Sequence, residues 1–260
     1  MGEVHDPWKK ENLVMLPVQL LLSDWPTLMP ALVNLNQGGF RITAGQADSV
    51  YCRYVKERGK PYLHWIELDT ILTTISLARH PKALEEIEEV FAMGEFDFTG
   101  VASRALLAWH GMPALYLVWV GELDGKNFDE QPPAVRDYIR GVDLSCTWEG
   151  AGISCYFENA SHEKIKQMVE AFTRMNMPAA ATALSASSEW WDKVQAVYEL
   201  NLAWDAHDAA FDPVYAKWEA AAWKMNDQKN SLLQGISRYA AKHAPELRRA
   251  SGWFEDSPQS

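Results

Sequence analysis

The chain has 260 residues, nearly half apolar or aromatic and 23% charged, the composition of a folded globular protein rather than a disordered one. Its net charge of −11 and pI near 5.1 exclude the basic footprint that direct nucleic-acid binding needs, and equally a polybasic membrane-surface role. The acid is spread over both halves, so its plain reading is solubility and its sharper reading is a surface offered to a basic partner.

Glu3 and Asp6 stand where a signal peptide carries basic residues, and the apolar stretch 13–22 is broken by Pro17 and Gln19. A cytoplasmic protein with no membrane span is expected. Helical periodicity then takes over. Ala47, Val50, Tyr51, Tyr54 and Val55 share one face of a helix that Gly59 and Pro61 end. Leu68, Ile71, Leu72 and Ile75 repeat the spacing, with Asp69 near the start. Ala83, Leu84, Ile87, Val90 and Phe91 repeat it again, with Glu85, Glu86, Glu88 and Glu89 assigned to the opposite, solvated side. The apolar run 113–120 reads equally as a buried strand or a helix. Polar, Gly- and Pro-bearing residues 121–133 mark a linker or surface loop between domains at 1–120 and 134–250.

Pro133 opens the next helix, and Ser161 is placed to cap one carrying Ile165, Met168, Val169 and Phe172. Ser188 is expected to cap a helix bearing Trp190, Trp191, Val194 and Trp204. Asp212 and Pro213 are expected to start another, with Tyr215, Trp218, Ala222 and Met225 as its apolar stripe. Leu232, Ile236, Tyr239 and Ala240 continue the pattern toward His243, and 251–260 reads as a frayed tail. The expected fold is mostly α, a multi-helix globular protein in two helical subdomains with at most a minor β element.

The chain lacks a nucleophile elbow, a phosphate-binding glycine loop and a dinucleotide fingerprint. Its seven histidines never fall at metal-ligand spacing, and Cys52, Cys146 and Cys155 suit neither a zinc site nor a disulfide framework. The most chemical-looking stretch surrounds His207, with Asp205, Asp208 and Asp212. Its plainer reading is a helix end and turn rich in solvated charge. No catalytic residue, cofactor or metal is expected.

The sequence Gly150-Ala-Gly-Ile-Ser-Cys-Tyr-Phe-Glu-Asn-Ala-Ser161, followed by a helical run and then Met177-Pro-Ala-Ala-Ala-Thr-Ala-Leu184, resembles the signature of the bacterial DNA-mimic-protein family. Gly152, Tyr156, Phe157, Asn159 and Ser161 match its pattern; Ala151, Ile153 and Cys155 depart from it. The resemblance spans roughly 133–248. It implies a helical domain in which Tyr156 and Phe157 lock a turn, Asn159 bonds backbone at the following helix start, and Ser161 caps that helix. It also implies an acidic surface that imitates a phosphate backbone.

Taken together, these readings lead to a non-catalytic acidic inhibitor of a protein partner, with a toxin-immunity protein first. A DNA mimic occupying a DNA-binding protein stands second, and a small hydrolase or metal enzyme using His207 third. Glu85, Glu86, Glu88 and Glu89 are the expected electrostatic contact. Tryptophan is an over-represented interface anchor, and Trp190 or Trp191 is expected to serve as one.

Overall fold

A computed structural model of the chain describes residues 8–58, 64–112, 128–200 and 204–250, and thirteen α-helices account for most of them. The mostly α fold read from the periodicity is the fold observed. Its β structure among the described residues is one two-stranded parallel ladder. Residue contacts divide the chain into two compact units, Met1–Val135 with Ser237–Ser260, and Arg136–Ile236. Of the boundary stretch 121–133, only 128–133 lies among the described residues, and Phe128–Glu130 forms a 3-10 turn there. The run 113–120 and the tail 251–260 lie outside the described residues.

In the first unit, β1 (Leu13–Val14) pairs with β2 (Arg41–Ile42), Leu13 opposite Arg41 and Val14 opposite Ile42. The helices are α1 (Val18–Leu22), α2 (Trp25–Gly38), α3 (Ala44–Glu57), α4 (Trp65–Leu77), α5 (Ala83–Ala92) and α6 (Phe96–Trp109). Asp24 caps α2 by accepting from the Thr27 N–H at 3.1 Å, and the Thr27 side chain, then that N–H, hold its carboxyl below the usual range. His64 and Glu67 start α4 reciprocally: Nδ1 of His64 accepts from the Ile66 N–H, and the Glu67 carboxylate accepts from the His64 N–H at 3.1 Å.

Helices α2, α3, α5 and α6 all pack against α4. The sequence marks one apolar face of α4, yet its residues from Thr70 to Leu77 are buried on every side. Burial of the polar face is eased because two of its hydroxyls turn back onto their own helix, although the Ser76 hydroxyl is buried without a hydrogen-bond partner. Thr70 donates to Ile66 O at 2.9 Å and Thr74 to Thr70 O at 2.7 Å. Asn36 of α2 adds a second tie, donating to Thr70 O at 2.9 Å and accepting from Thr74 at 3.2 Å. Ile71, Leu72 and Ile75 have no exposed surface, and each contributes roughly 2 kcal/mol by burial.

The second unit holds α7 (Pro133–Ala151, from Arg136 on), α8 (Ile153–Asn159), α9 (His162–Arg174), α10 (Pro178–Tyr198), α11 (Trp204–Asn226) and the first part of α12 (Lys229–Lys242). The rest of α12 and α13 (Ala244–Ala250) belong to the first unit. Ser161 caps α9 as its sequence position implies, accepting from the Lys164 N–H at 3.2 Å.

Two expected helix starts do not exist. Ser188 lies inside α10, and Asp212 and Pro213 lie inside α11. Pro213 forfeits one backbone hydrogen bond, normally a helix-breaking loss. Two things offset it. Alanines flank the proline on both sides, at 206, 209, 210 and 216, and alanine is the strongest helix former. Rings four residues apart also stack straight through the site, His207 on Phe211 with centroids at 5.8 Å and Phe211 on Tyr215 at 5.1 Å.

Candidate functional site

The four glutamates chosen from the sequence sit on α5, and the structure separates them. Glu85, Glu88 and Glu89 are exposed, but Glu86 is buried, contrary to the solvated position the sequence reading gave it. On a helix, position 86 lies three residues after Ala83 and four before Val90, so it shares their inward face. Its carboxylate is satisfied there. Tyr51 donates at 2.9 Å, Tyr54 at 3.2 Å, and Nη1 of Arg58 reaches both oxygens at 2.9 Å. Burial, then the Glu86 hydrogen bond and charge, push the Tyr51 phenol up to about 12. Burial pushes Tyr54 up further, with Glu86 adding to it.

The exposed three are also paired. Lys82 meets Glu85 at 2.6 Å, Arg238 meets Glu88 at 2.5 Å, and Arg58 lies 3.5 Å from Glu89. Four negative charges therefore face three positive ones supplied by the same unit. That leaves little field to imitate a row of phosphates.

The two tryptophans also part company. Trp191 is buried, 4.9 Å from Trp218 and 5.9 Å from Phe157, and serves the core. Trp190 is half-buried beneath two ammonium groups, Lys193 at 3.8 Å and Lys217 at 5.1 Å from its ring. Neither presents a bare anchor.

Of the residues that carry the family resemblance, Tyr156 and Phe157 are buried, with rings at 6.2 Å edge to face. Asn159 does not bond the next helix start. It donates back to Cys155 O at 2.8 Å, closing its own helix. Gly152 precedes that helix with φ of +86°, a left-handed conformation that a side chain resists.

His207 lies in the first turn of α11, at a helix end as the sequence reading had it, but it stacks on Phe211 and its side chain is only 22% exposed rather than solvated. Nδ1 of His207 stands 3.8 Å from Asp208, beyond hydrogen-bond length. Among the described residues no group of three or more His, Cys, Asp or Glu side chains is placed to hold a metal ion.

A surface site that the sequence did not single out lies beside Gly152. A cleft of about 270 Å³ is walled by Trp148, Tyr215, Trp218 and Trp223, with Glu219 and Asn226 at its polar side. Nε1 of Trp148 donates to Asn226 at 3.0 Å, fixing both walls. Trp218 is braced from behind, edge to face on Phe157 at 5.8 Å and against Trp191. Trp223 is 62% exposed. Burial raises the Tyr215 phenol, and the negative charges of Glu219 and Glu158 raise it further. The volume falls just below that of ordinary small-molecule pockets, so it suits one side-chain head group. Trp223 was legible as an anomaly, because it falls off the 215, 218, 222, 225 stripe on the same helix. A larger groove of about 650 Å³ between Pro178–Ala186 and Lys224–Gln228 has small-residue walls and no aromatic ring.

No family model, curated protein or solved structure matches the chain. No helix among the described residues is long and apolar enough to cross a membrane.

Proposed function

We propose that the protein is a non-catalytic inhibitory binding protein, of the kind that neutralises a toxin, and that its cleft takes a cationic side chain from a basic protein partner. The observation that carries this reading is the cleft itself. Four aromatic residues around a space the size of a side-chain head, with a carboxylate at the rim, favour a positive group over a neutral one. The exposed Trp223 supplies the rigid apolar area that interface anchors use. The net charge of −11 speeds the encounter with a basic surface. Imitation of DNA finds less support, because the densest acid, on α5, is paired with Lys82, Arg58 and Arg238.

The test is a tryptophan-fluorescence titration with a short peptide containing arginine or lysine, against the same peptide carrying citrulline or acetyl-lysine. The charged peptide is expected to bind and the neutral one not. Trp223→Ala and Glu219→Gln are each expected to weaken binding about tenfold, consistent with a desolvated cation–π contact of roughly 1–2 kcal/mol. Equal binding of the charged and neutral peptides refutes the reading.

A further inference from the structure

We propose that Arg41, Arg79 and Arg248, gathered with Trp8 in the first unit, form a binding site for a phosphate-type oxyanion. This goes beyond the cationic cleft, which lies in the second unit and takes the opposite charge.

Several arginines of this acidic chain sit on carboxylates, as Arg58, Arg104, Arg174 and Arg238 do, and Arg53 stacks singly on Trp25. At Trp8 two guanidinium groups share one indole. The guanidinium carbon of Arg79 lies 3.8 Å from the Trp8 ring centre and that of Arg248 lies 4.2 Å from it. Arg41 is close enough for its charge, after burial, to lower the pKa of Arg79. His110 is held below its ordinary range by burial and by the charge of Arg79. Among the described residues no carboxylate pairs with Arg41 or Arg79, and Nε of Arg41 is buried without a hydrogen-bond partner. A buried N–H in that state is one that water or an ion ordinarily satisfies.

The backbone is bent to make this cluster. Arg79 follows the end of α4 with φ of +52°, and the His80 N–H closes onto Ile75 O at 2.8 Å. That position usually holds glycine or asparagine. In the second unit Asn176, with φ of +60°, occupies the equivalent place, where the Met177 N–H closes onto Phe172 O. An arginine there is strained, and it adds repulsion against Arg41. Gly111 has φ of +75°, and a Cβ on it would stand 2.6 Å from Nη1 of Arg248 and 3.1 Å from the Trp8 ring. Two special backbone positions thus hold two guanidinium groups on one ring. The carbonyl end of α4 offers partial negative charge, but Arg79 remains below its ordinary range beside it. A multiply charged oxyanion removes the repulsion and accepts the forked donors in pairs.

The test measures melting temperature and tryptophan fluorescence of the full chain in inorganic phosphate against sodium chloride at matched ionic strength. Phosphate is expected to raise the melting temperature beyond the chloride control, by mass action on the folded state. Arg79→Gln and Arg41→Gln are each expected to weaken phosphate binding about tenfold or more, the loss of charged hydrogen bonds. Arg79→Lys is expected to fall between, because it keeps the charge without the fork. Arg79 is exposed and its replacement removes a repulsion, so R79Q is expected to fold as wild type in chloride. Equal responses to phosphate and chloride overturn the proposal. So does a full phosphate response in R79Q, and so does an R79Q chain that fails to fold, since the cluster would then be structural.

Discussion

In the first unit Glu86 is held by two phenols and the guanidinium of Arg58. In the second, Asp137 on α7 is held by Arg174 of α9 through two parallel hydrogen bonds of 2.7 Å, with Arg140 a further 3.8 Å away. Both carboxylates are almost wholly buried, and Arg58 and Arg174 are each more than two-fifths exposed. The difference lies in the donors. The two short bonds to Asp137 both come from one guanidinium group, while Glu86 also shares its charge with neutral hydroxyls that remain if the cation is removed. The first arrangement keeps two hydroxyl donors when its arginine is removed, so it is expected to tolerate that loss better, because an uncompensated buried charge is the costly outcome.

The largest effect expected from that contrast comes at Arg174. Arg174→Met removes both 2.7 Å hydrogen bonds from the buried Asp137 carboxylate, and is expected to cost about 3 kcal/mol. Chemical denaturation checks this, with a companion Arg58→Met expected to cost less than half as much. Equal losses would show that the phenols do not share the charge of Glu86. Next comes Glu86→Gln. It keeps one oxygen for a phenol but turns an amide toward another donor, and is expected to cost about 2 kcal/mol.

The third expectation concerns Tyr51 and alkaline pH. The unfolded chain ionises this phenol near its ordinary value of 10, whereas the folded chain retains the proton to about 12. Between those values the folded state binds more protons, so the stabilisation is fully present below pH 10 and is lost as pH rises through 12. Tyr51→Phe is expected to cost about 1 kcal/mol at neutral pH and to flatten the loss of stability between pH 10 and 12. Denaturation midpoints measured at half-unit steps across that range check it. Tyr54 shifts in the same direction, so some slope persists.

Much of this was open to a reader of the sequence, and the failures have physical causes. The inward stripes of α3, α5 and α9 appear in the 3.6-residue spacing, because a helix with one wet face must carry its apolar residues there. Ser161 was legible because a cap is a local device. Helix α4 was half legible, since Thr70 and Thr74 are buried by bonding to their own backbone yet look polar in a sequence. Glu86 was misread for the opposite reason: charge alone suggested exposure, while its register with Ala83 and Val90 pointed inward. Pro213 was misread as a helix start because ring stacking and alanine propensity outweighed one lost bond. The cleft was not legible, because Trp148 of α7 meets Tyr215, Trp218 and Trp223 of α11 across some seventy residues of sequence, and only tertiary packing brings the two helices together.

The smallest effect expected is at the acidic face once taken for the contact. Replacing Glu85, Glu88 and Glu89 together by glutamine removes three negative charges and breaks the pairs to Lys82, Arg238 and Arg58. Each partner is roughly half exposed, so each pair is worth about 0–1 kcal/mol and its loss is partly offset by freed side chains. The total change is expected to stay below about 1 kcal/mol and to shrink as salt rises, since the Debye length falls from about 10 Å at 0.1 M to about 3 Å at 1 M. Glu86 keeps its phenols and Arg58, so the buried part of the site is undisturbed. Affinity for the cationic peptide should then stay within about twofold of wild type, because these carboxylates are already answered by their own cations. The measurement is a denaturation midpoint at 0.05 and 1 M salt beside the peptide titration. A tenfold loss of peptide affinity with unchanged stability would return the contact to α5 and make the pairing there incidental. Retained affinity in this variant, with loss in Trp223→Ala, would place recognition at the aromatic cleft.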